Sequence, residues 1–280
     1  MAFVGAQLAG GTIRTPWGMI RKPTAAESDV PVEMPFAPGA GVILLRDVPF
    51  EVAVVEHPTG SEVLENPLQA AAARVGASLQ HVADMVSLSF LLALNREHRV
   101  APIHVWTLID NPLGVAGHSW PMGFMPVPSQ ALTPDDHRRV HRWAERINGR
   151  YHKRIEIAVK RTLASYTRRL DPADRLIDAI VALENLFGAG SGELKFRISS
   201  GCAFLLERKA AERPGLQKEI GRLYDRRSDI VHGSSPRDDV HSDARAAGEL
   251  AVRSLQTLFT KRPDLISAKD RTRLLIFPDA

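Results

Sequence analysis

The sequence predicts an α+β protein: a mixed α/β N-terminal unit over residues 1–130, then an all-helical bundle of about five helices over residues 131–262, and a C-terminal tail over 263–280. Three observations predict it. Apolar spacing changes at Thr133 from short β-branched runs to long stripes of helical period. Two helix-start phrases recur, at Thr133 and at Asp171. Charge is also divided. Residues 1–134 carry 7 Lys+Arg against 11 Asp+Glu, and residues 135–280 carry 29 against 21. A basic half joined to an acidic half implies two units and an anionic partner for the second.

Residues 1–40, rich in Gly and Pro, read as extended or irregular. Val42–Leu45 and Phe50–Val55 read as a strand pair around Asp47-Val48-Pro49. Asn66-Pro67 fits an N-cap and first helical position. From Leu68 to about Asn95, Val75, Leu79, Val82, Met85 or Val86, and Phe90 keep helical spacing, as one long helix or as two short ones with Gly76 a candidate break. Val105–Ile109 reads as a strand. Residues 111–131, with four prolines and three glycines, read as a loop or linker.

In the second half, Thr133-Pro134-Asp135-Asp136 sets a capping hydroxyl, a first-turn proline and carboxylates at the positive end of a helix. Its stripe runs through Val140, Trp143, Ile147, Tyr151, Ile155 and Ala158. Asp171-Pro172-Ala173-Asp174 opens the second helix, which ends at Gly188 and Gly190. A third is expected from Gly192 to about Ala211. Pro214-Gly215 then breaks the chain, a fourth helix runs from about Gln217 to His232, and a fifth covers about Ser242–Phe259. Leu274–Phe277 suits a short strand or docking segment.

One cysteine, Cys202, permits no internal disulfide and reads as inert core. The first residues lack a basic start and a long apolar core, and the longest apolar stretch, Met85–Leu94, is about half of a bilayer span. A cytoplasmic protein without membrane segments is expected. No cofactor or metal is expected either. His137 and His141 stand at i and i+4 but lack a third ligand and an HExxH pattern. The run from Gly188 to Gly192 lacks the Lys-Ser/Thr of a phosphate loop.

Chemistry concentrates at Tyr224-Asp225-Arg226-Arg227-Ser228-Asp229-Ile230-Val231-His232-Gly233. The apolar stripe of the fourth helix (Ile220, Leu223 or Tyr224, Val231) lands on Arg227, and a cation there needs a partner. His232 follows Ser228 by four residues and Asp229 by three, within side-chain reach on a helix. Spacing alone fits two arrangements: a catalytic cluster, or a histidine at the negative helix end beside an arginine paired with a bundle carboxylate. Arg138, Arg142, Arg146, Arg150 and Arg154 recur every four residues, a cationic ridge suited to phosphates or to a solvated face with Glu145 and Glu156 as partners. Glu184 and Arg197 border apolar stripes and suit a buried pair bracing two helices.

The C-terminal half resembles the HEPN family, in its Apea-like branch. Three phrases in order carry the likeness: Leu183-Glu184-Asn185-Leu186, Glu193-Leu194-Lys195-Phe196-Arg197, and the run from Tyr224 to Gly233 with Arg227 and His232 at its core. The resemblance covers about 130 residues and does not reach residues 1–130. It implies a metal-independent endoribonuclease with Arg227 and His232 catalytic, and Ser228, Asp229, Tyr224, Glu184 and Arg197 in support. It also implies a homodimer acting on RNA, a role as a toxin or antiphage effector, and a cognate inhibitor protein. Other members of the family are noncatalytic modules that bind RNA, nucleotide or a partner protein.

Overall fold

The computed structural model describes residues 1–4, 6–8, 10–24, 41–46, 67–94, 100–111, 114–121, 129–190, 193–233 and 239–277. Eight strands come first: β1 (Ala2–Val4), β2 (Ala6–Leu8), β3 (Ile13–Thr15), β4 (Gly18–Arg21), β5 (Val42–Leu45), β6 (Ala101–Asn111), β7 (Gly114–Pro121) and β8 (Gln130–Leu132), with helix α1 (Pro67–Ala93) between β5 and β6. Helices α2 (Pro134–Arg150), α3 (Glu156–Thr167), α4 (Pro172–Phe187), α5 (Leu194–Leu206), α6 (Arg213–Val231), α7 (Val240–Thr260) and the short α8 (Arg271–Ile276) follow. The protein is therefore helix-rich with a small sheet portion, consistent with the expected α+β class.

The described residues of 1–21, expected as extended or irregular, form short strands. Alternation explains it: Phe3, Ala6, Leu8, Ile13 and Ile20 are buried while Gln7, Arg14 and Met19 face outward. The main sheet runs β3-β4-β5-β1-β6-β7, all pairs antiparallel. Val42–Leu45 is a strand as expected, but its neighbours are β1 (Ala2↔Ile43) and β4 (Ile20↔Leu44). The expected partner, Phe50–Val55, lies outside the described residues, as does Asn66.

The expected linker over 111–131 is corrected. Gly114–Pro121 is a strand that pairs along its whole length with β6, from His104↔Pro121 to Asn111↔Gly114. It is the outermost strand of the order. An edge strand tolerates a proline at its end and glycines within, because one side of its backbone owes no ladder bond. A second, two-stranded sheet pairs β2 with β8 in parallel, Ala6↔Gln130 to Leu8↔Leu132, directly ahead of α2.

α1 runs unbroken through Gly76. Its Leu79, Val82, Met85, Val86 and Phe90 belong to one continuous apolar cluster that also holds Phe3, Ile20 and Leu44 of the sheet and Ile147, Leu163, Leu183 and Phe259 of the later helices. Among the described residues, two links from α1 to the later helices are polar. Arg168, at the end of α3, reaches Asp84 of α1 at 2.6 Å, and Gln256 of α7 donates to the Leu92 carbonyl at 3.0 Å.

α2 begins as expected. The Thr133 hydroxyl accepts from Asp136 N–H, and the Asp136 carboxylate accepts from Thr133 N–H in return. The single helix expected from Thr133 through Ala158 is two helices. Tyr151 leaves the helix in extended conformation, and the His152 ring accepts from Arg154 N–H to cap a 3₁₀ turn over Lys153–Ile155. The apolar stripe survives the break because Ile155 and Ala158 are still buried. Asn185 of α4 accepts from Ala158 N–H at 3.1 Å, satisfying one of the open donors at the start of α3.

Three further boundaries differ. α5 ends at Leu206, and residues 210–212 form a 3₁₀ turn rather than the tail of that helix. α6 begins at Arg213, so Pro214-Gly215 lies in its first turn instead of breaking the chain. A proline there gives up only an N–H that has no helical acceptor. The segment expected as a short strand or docking segment at Leu274–Phe277 is not a strand: Leu274–Ile276 belong to α8, capped by Asp270 through the N–H of Arg273.

Candidate functional site

The last turns of α6 hold the candidate residues. Leu216, Ile220 and Leu223 are buried, and Tyr224 and Ile230 pack against the core as partly buried residues. Val231, expected on the inner stripe, is half-exposed, and Ile230 takes its place. Arg227 does continue the stripe. Its Nη2 lies 3.8 Å from Glu184 Oε1 on α4, and its side chain is only 25% exposed. Its Nε is buried with no hydrogen-bond partner among the described residues. Burial raises the Glu184 pKa above the usual range, and the Arg227 charge opposes that rise.

His232 is exposed at the helix end. Its N–H closes the final turn on Ser228 O at 3.0 Å, and Gly233 follows at φ +84, in the left-handed region that favours glycine. Asp229 is exposed and Ser228 partly buried, and the contact from Ser228 to His232 is this backbone bond. Five residues of helix turn Arg227 and His232 about 140° apart. Arg227 therefore faces α4 while His232 faces solvent.

The expected Glu184–Arg197 brace is corrected. Glu184 stands beside Arg227, and Arg197 bonds Asp270 at 2.6 Å. Asp270 is the cap of α8, so Arg197 ties α5 to the tail. The change follows from two polar groups: Asp270, which caps a helix within the expected tail and takes Arg197, and Arg227, which reaches across to Glu184 on α4. A third arrangement was also missed: Asp243 of α7, only 7% exposed, is held by Arg222 at 2.8 Å and Arg226 at 3.2 Å. Its signal was present, since Asp243 falls four residues before Ala247 on the inner stripe of α7. Lys195 bonds Asp225 at 2.6 Å between α5 and α6.

The arginine row is shorter and less uniform than expected. Arg154 lies beyond the break, in the 3₁₀ turn. Arg138 is neutralised by Asp135 at 3.2 Å. Arg146 stacks on Trp143, its guanidinium carbon 5.0 Å from the ring centroid, and Arg150 donates to the Phe259 carbonyl at the end of α7. Arg142 is exposed. Of the two histidines at helical spacing, His141 bonds the Arg14 carbonyl at 2.7 Å. His137 is partly buried, and burial lowers its pKa while Asp136 pulls it the other way. Cys202 is buried, 3.6 Å from the Ser254 hydroxyl, and its thiol is pushed up to about 12 by burial.

No protein-family model matches the chain, and no curated protein or solved structure matches it either. Among the described residues, no helix is long and apolar enough to cross a membrane.

Proposed function

We propose that the chain is a metal-independent endoribonuclease of the HEPN type, acting through Arg227 and His232. One observation carries the reading. The two motif residues share the last turns of one helix, where an exposed imidazole follows by five residues a guanidinium that lies 3.8 Å from the Glu184 carboxylate and whose Nε has no partner among the described residues. The phrase that resembles the family thus falls at an accessible helix end. His232 removes the proton of a ribose 2′-hydroxyl, and the freed 2′-oxygen attacks the adjacent phosphorus. The P–O5′ bond breaks, leaving a 2′,3′-cyclic phosphate and, after protonation, a 5′-hydroxyl. Arg227 holds the phosphate and stabilises the added charge. Because Arg227 and His232 diverge around one helix, two copies meeting at the ends of α6 supply both groups to a single phosphate from different protomers. A role as toxin or antiphage effector, with a cognate inhibitor protein, belongs to the same reading.

The second reading is a noncatalytic module binding RNA, nucleotide or a partner protein. The approach of Arg227 to Glu184 favours it, since that pairing is a sufficient structural role. Cleavage of structured and single-stranded RNA in EDTA separates the two. Wild type is expected to cut. His232→Ala is expected to lose about a hundredfold or more, and Arg227→Ala about as much, with both variants folded. An inert wild type that still binds RNA selects the module. Cleavage that survives both substitutions refutes the assignment.

A further inference from the structure

The exposed side of α2 has a neutralised end and a charged end. At its start, Asp135 and Asp136 pair with Arg138 and Arg139. Further on, among the described residues, Arg142 and Arg146 have no carboxylate partner and Arg150 bonds only a main-chain carbonyl. Elsewhere in the helices that follow, Arg161, Arg168, Arg169, Arg197, Arg222, Arg226, Arg245 and Arg253 all bond a carboxylate. The charged end of α2 is also shaped. Gly149 lies between the arginines, and a side chain added there would meet nothing. His141, Arg142, Glu145, Arg146, Gly149 and Arg150 line the resulting surface depression.

We infer that this depression is a backbone-binding track for single-stranded RNA, with Arg142, Arg146 and Arg150 on successive phosphates and Gly149 leaving room for the strand. The inference rests on RNA being the substrate but not on cleavage at His232. Arginines four residues apart on a helix rise by about 6 Å per step, a spacing comparable to that of neighbouring phosphates along a strand. Arg146 lies over the Trp143 ring, and a guanidinium beside an aromatic face is suited to a base as well as to a phosphate. Arg150 keeps further donors after bonding Phe259 O. Glu145 is the opposing charge in the depression and sets a limit on affinity.

The test is binding of a fluorescein-labelled 20-nucleotide single-stranded RNA to the full chain carrying His232→Ala, followed by anisotropy across salt. Arg142→Ala with Arg146→Ala is expected to weaken binding at least tenfold. It should also flatten the salt dependence by roughly 1.4 in log–log slope, about 0.7 for each phosphate no longer neutralised. Gly149→Glu, whose Cβ would meet nothing within 4 Å, is expected to weaken binding comparably, and Glu145→Gln to tighten it. Arg138→Ala is expected to change little. Unchanged affinity and slope in both the double variant and Gly149→Glu would overturn the track, and so would equal losses in Arg138→Ala. Cleavage by the chain with native His232 is scored separately, so an intact nuclease with a failed track is distinguishable from a chain that neither binds nor cuts.

Discussion

Arg227 of α6 and Glu184 of α4 face each other at 3.8 Å, both about three-quarters buried or more. At that separation they attract without forming a hydrogen bond. Desolvation therefore dominates Glu184 and raises its pKa, with Arg227 offsetting only part of the rise. Among the described residues no hydrogen bond holds this guanidinium, so its charge is what ties it to Glu184.

Removing Arg227 takes away the one charge that lowers the Glu184 pKa. In Arg227→Ala, the Glu184 carboxyl is expected to titrate at higher pH than in wild type, followed by carbon-detected NMR. Stability then depends on pH. A carboxyl whose folded pKa is raised favours the fold while protonated, and that contribution is lost as pH rises through the folded value. Arg227→Ala should thus lose more stability than wild type on going from acid to neutral pH. An unmoved Glu184 titration would show that the two charges do not interact.

Asp84 of α1 is 2% exposed and depends on Arg168 at 2.6 Å, with Gln80 donating at 3.2 Å. Arg168→Ala leaves a buried carboxylate without its cation, at a cost of about 3 kcal/mol. Because Asp84 lies in α1 and Arg168 at the end of α3, the loss also loosens the sheet-side helix from the later helices. Urea denaturation with Arg168→Ala and Arg168→Lys measures it, the lysine variant retaining part of the stability. Equal midpoints for wild type and Arg168→Ala would show that the bridge contributes nothing.

Legibility followed local chemistry. Thr133 and Asp171 were readable as helix starts because capping needs only residues within one turn, and both caps are made. The strand at Val105–Ile109 was readable from β-branching. What escaped depended on distant partners. β7 carries Gly114, Gly117 and Pro121, which read as loop, yet pairing with β6 makes it a strand at a sheet edge. The break at Tyr151–His152 is marked only by Gly149 two residues earlier, which lies inside the helix, and a histidine cap is a weak local signal. At the site, the inward turn of Arg227 was legible from the stripe on α6, whereas its neighbour was not. Glu184 lies on a different helix, and spacing gives no ranking among Arg197, Arg227 and other cations that could meet it.

Acid tests the start of α2. Burial alone would raise the Asp136 pKa, but hydrogen bonds from the Thr133 hydroxyl and N–H, and the Arg139 guanidinium, hold it down at about 2. Its folded value lies below the unfolded one, near 3.9. The carboxylate therefore stabilises the fold fully above about pH 4, and that contribution fades as pH falls toward 2. Asp136→Asn is expected to cost about 1 kcal/mol at neutral pH. Wild type and variant melting temperatures should converge as pH approaches 2. A gap that stays constant with pH would place the effect in packing rather than in charge.

The tail helix is latched by Arg271, 3% exposed and without a carboxylate partner among the described residues. Its guanidinium donates to the carbonyls of Leu265, Ile266 and Leu186, and at longer range to Asn185. Burial and the charge of Arg154 push its pKa down to about 10. Two of the acceptors are in the last turn of α4, whose negative end favours a cation. Thr272 adds a bond from its hydroxyl to Phe187 O at 2.8 Å. This close docking requires Gly201 on α5, where an added Cβ would collide with the Thr272 hydroxyl and lie 2.9 Å from the Phe187 ring. Gly201→Ala is therefore expected to displace α8 and to cost about 1–3 kcal/mol. Arg271→Met leaves the carbonyls unsatisfied and is expected to cost about as much. Trypsin reads both variants at Lys269, just before the helix, where cleavage should quicken severalfold while the rest of the chain stays protected. If Lys269 is cut at the wild-type rate in both, α8 is not held by this latch.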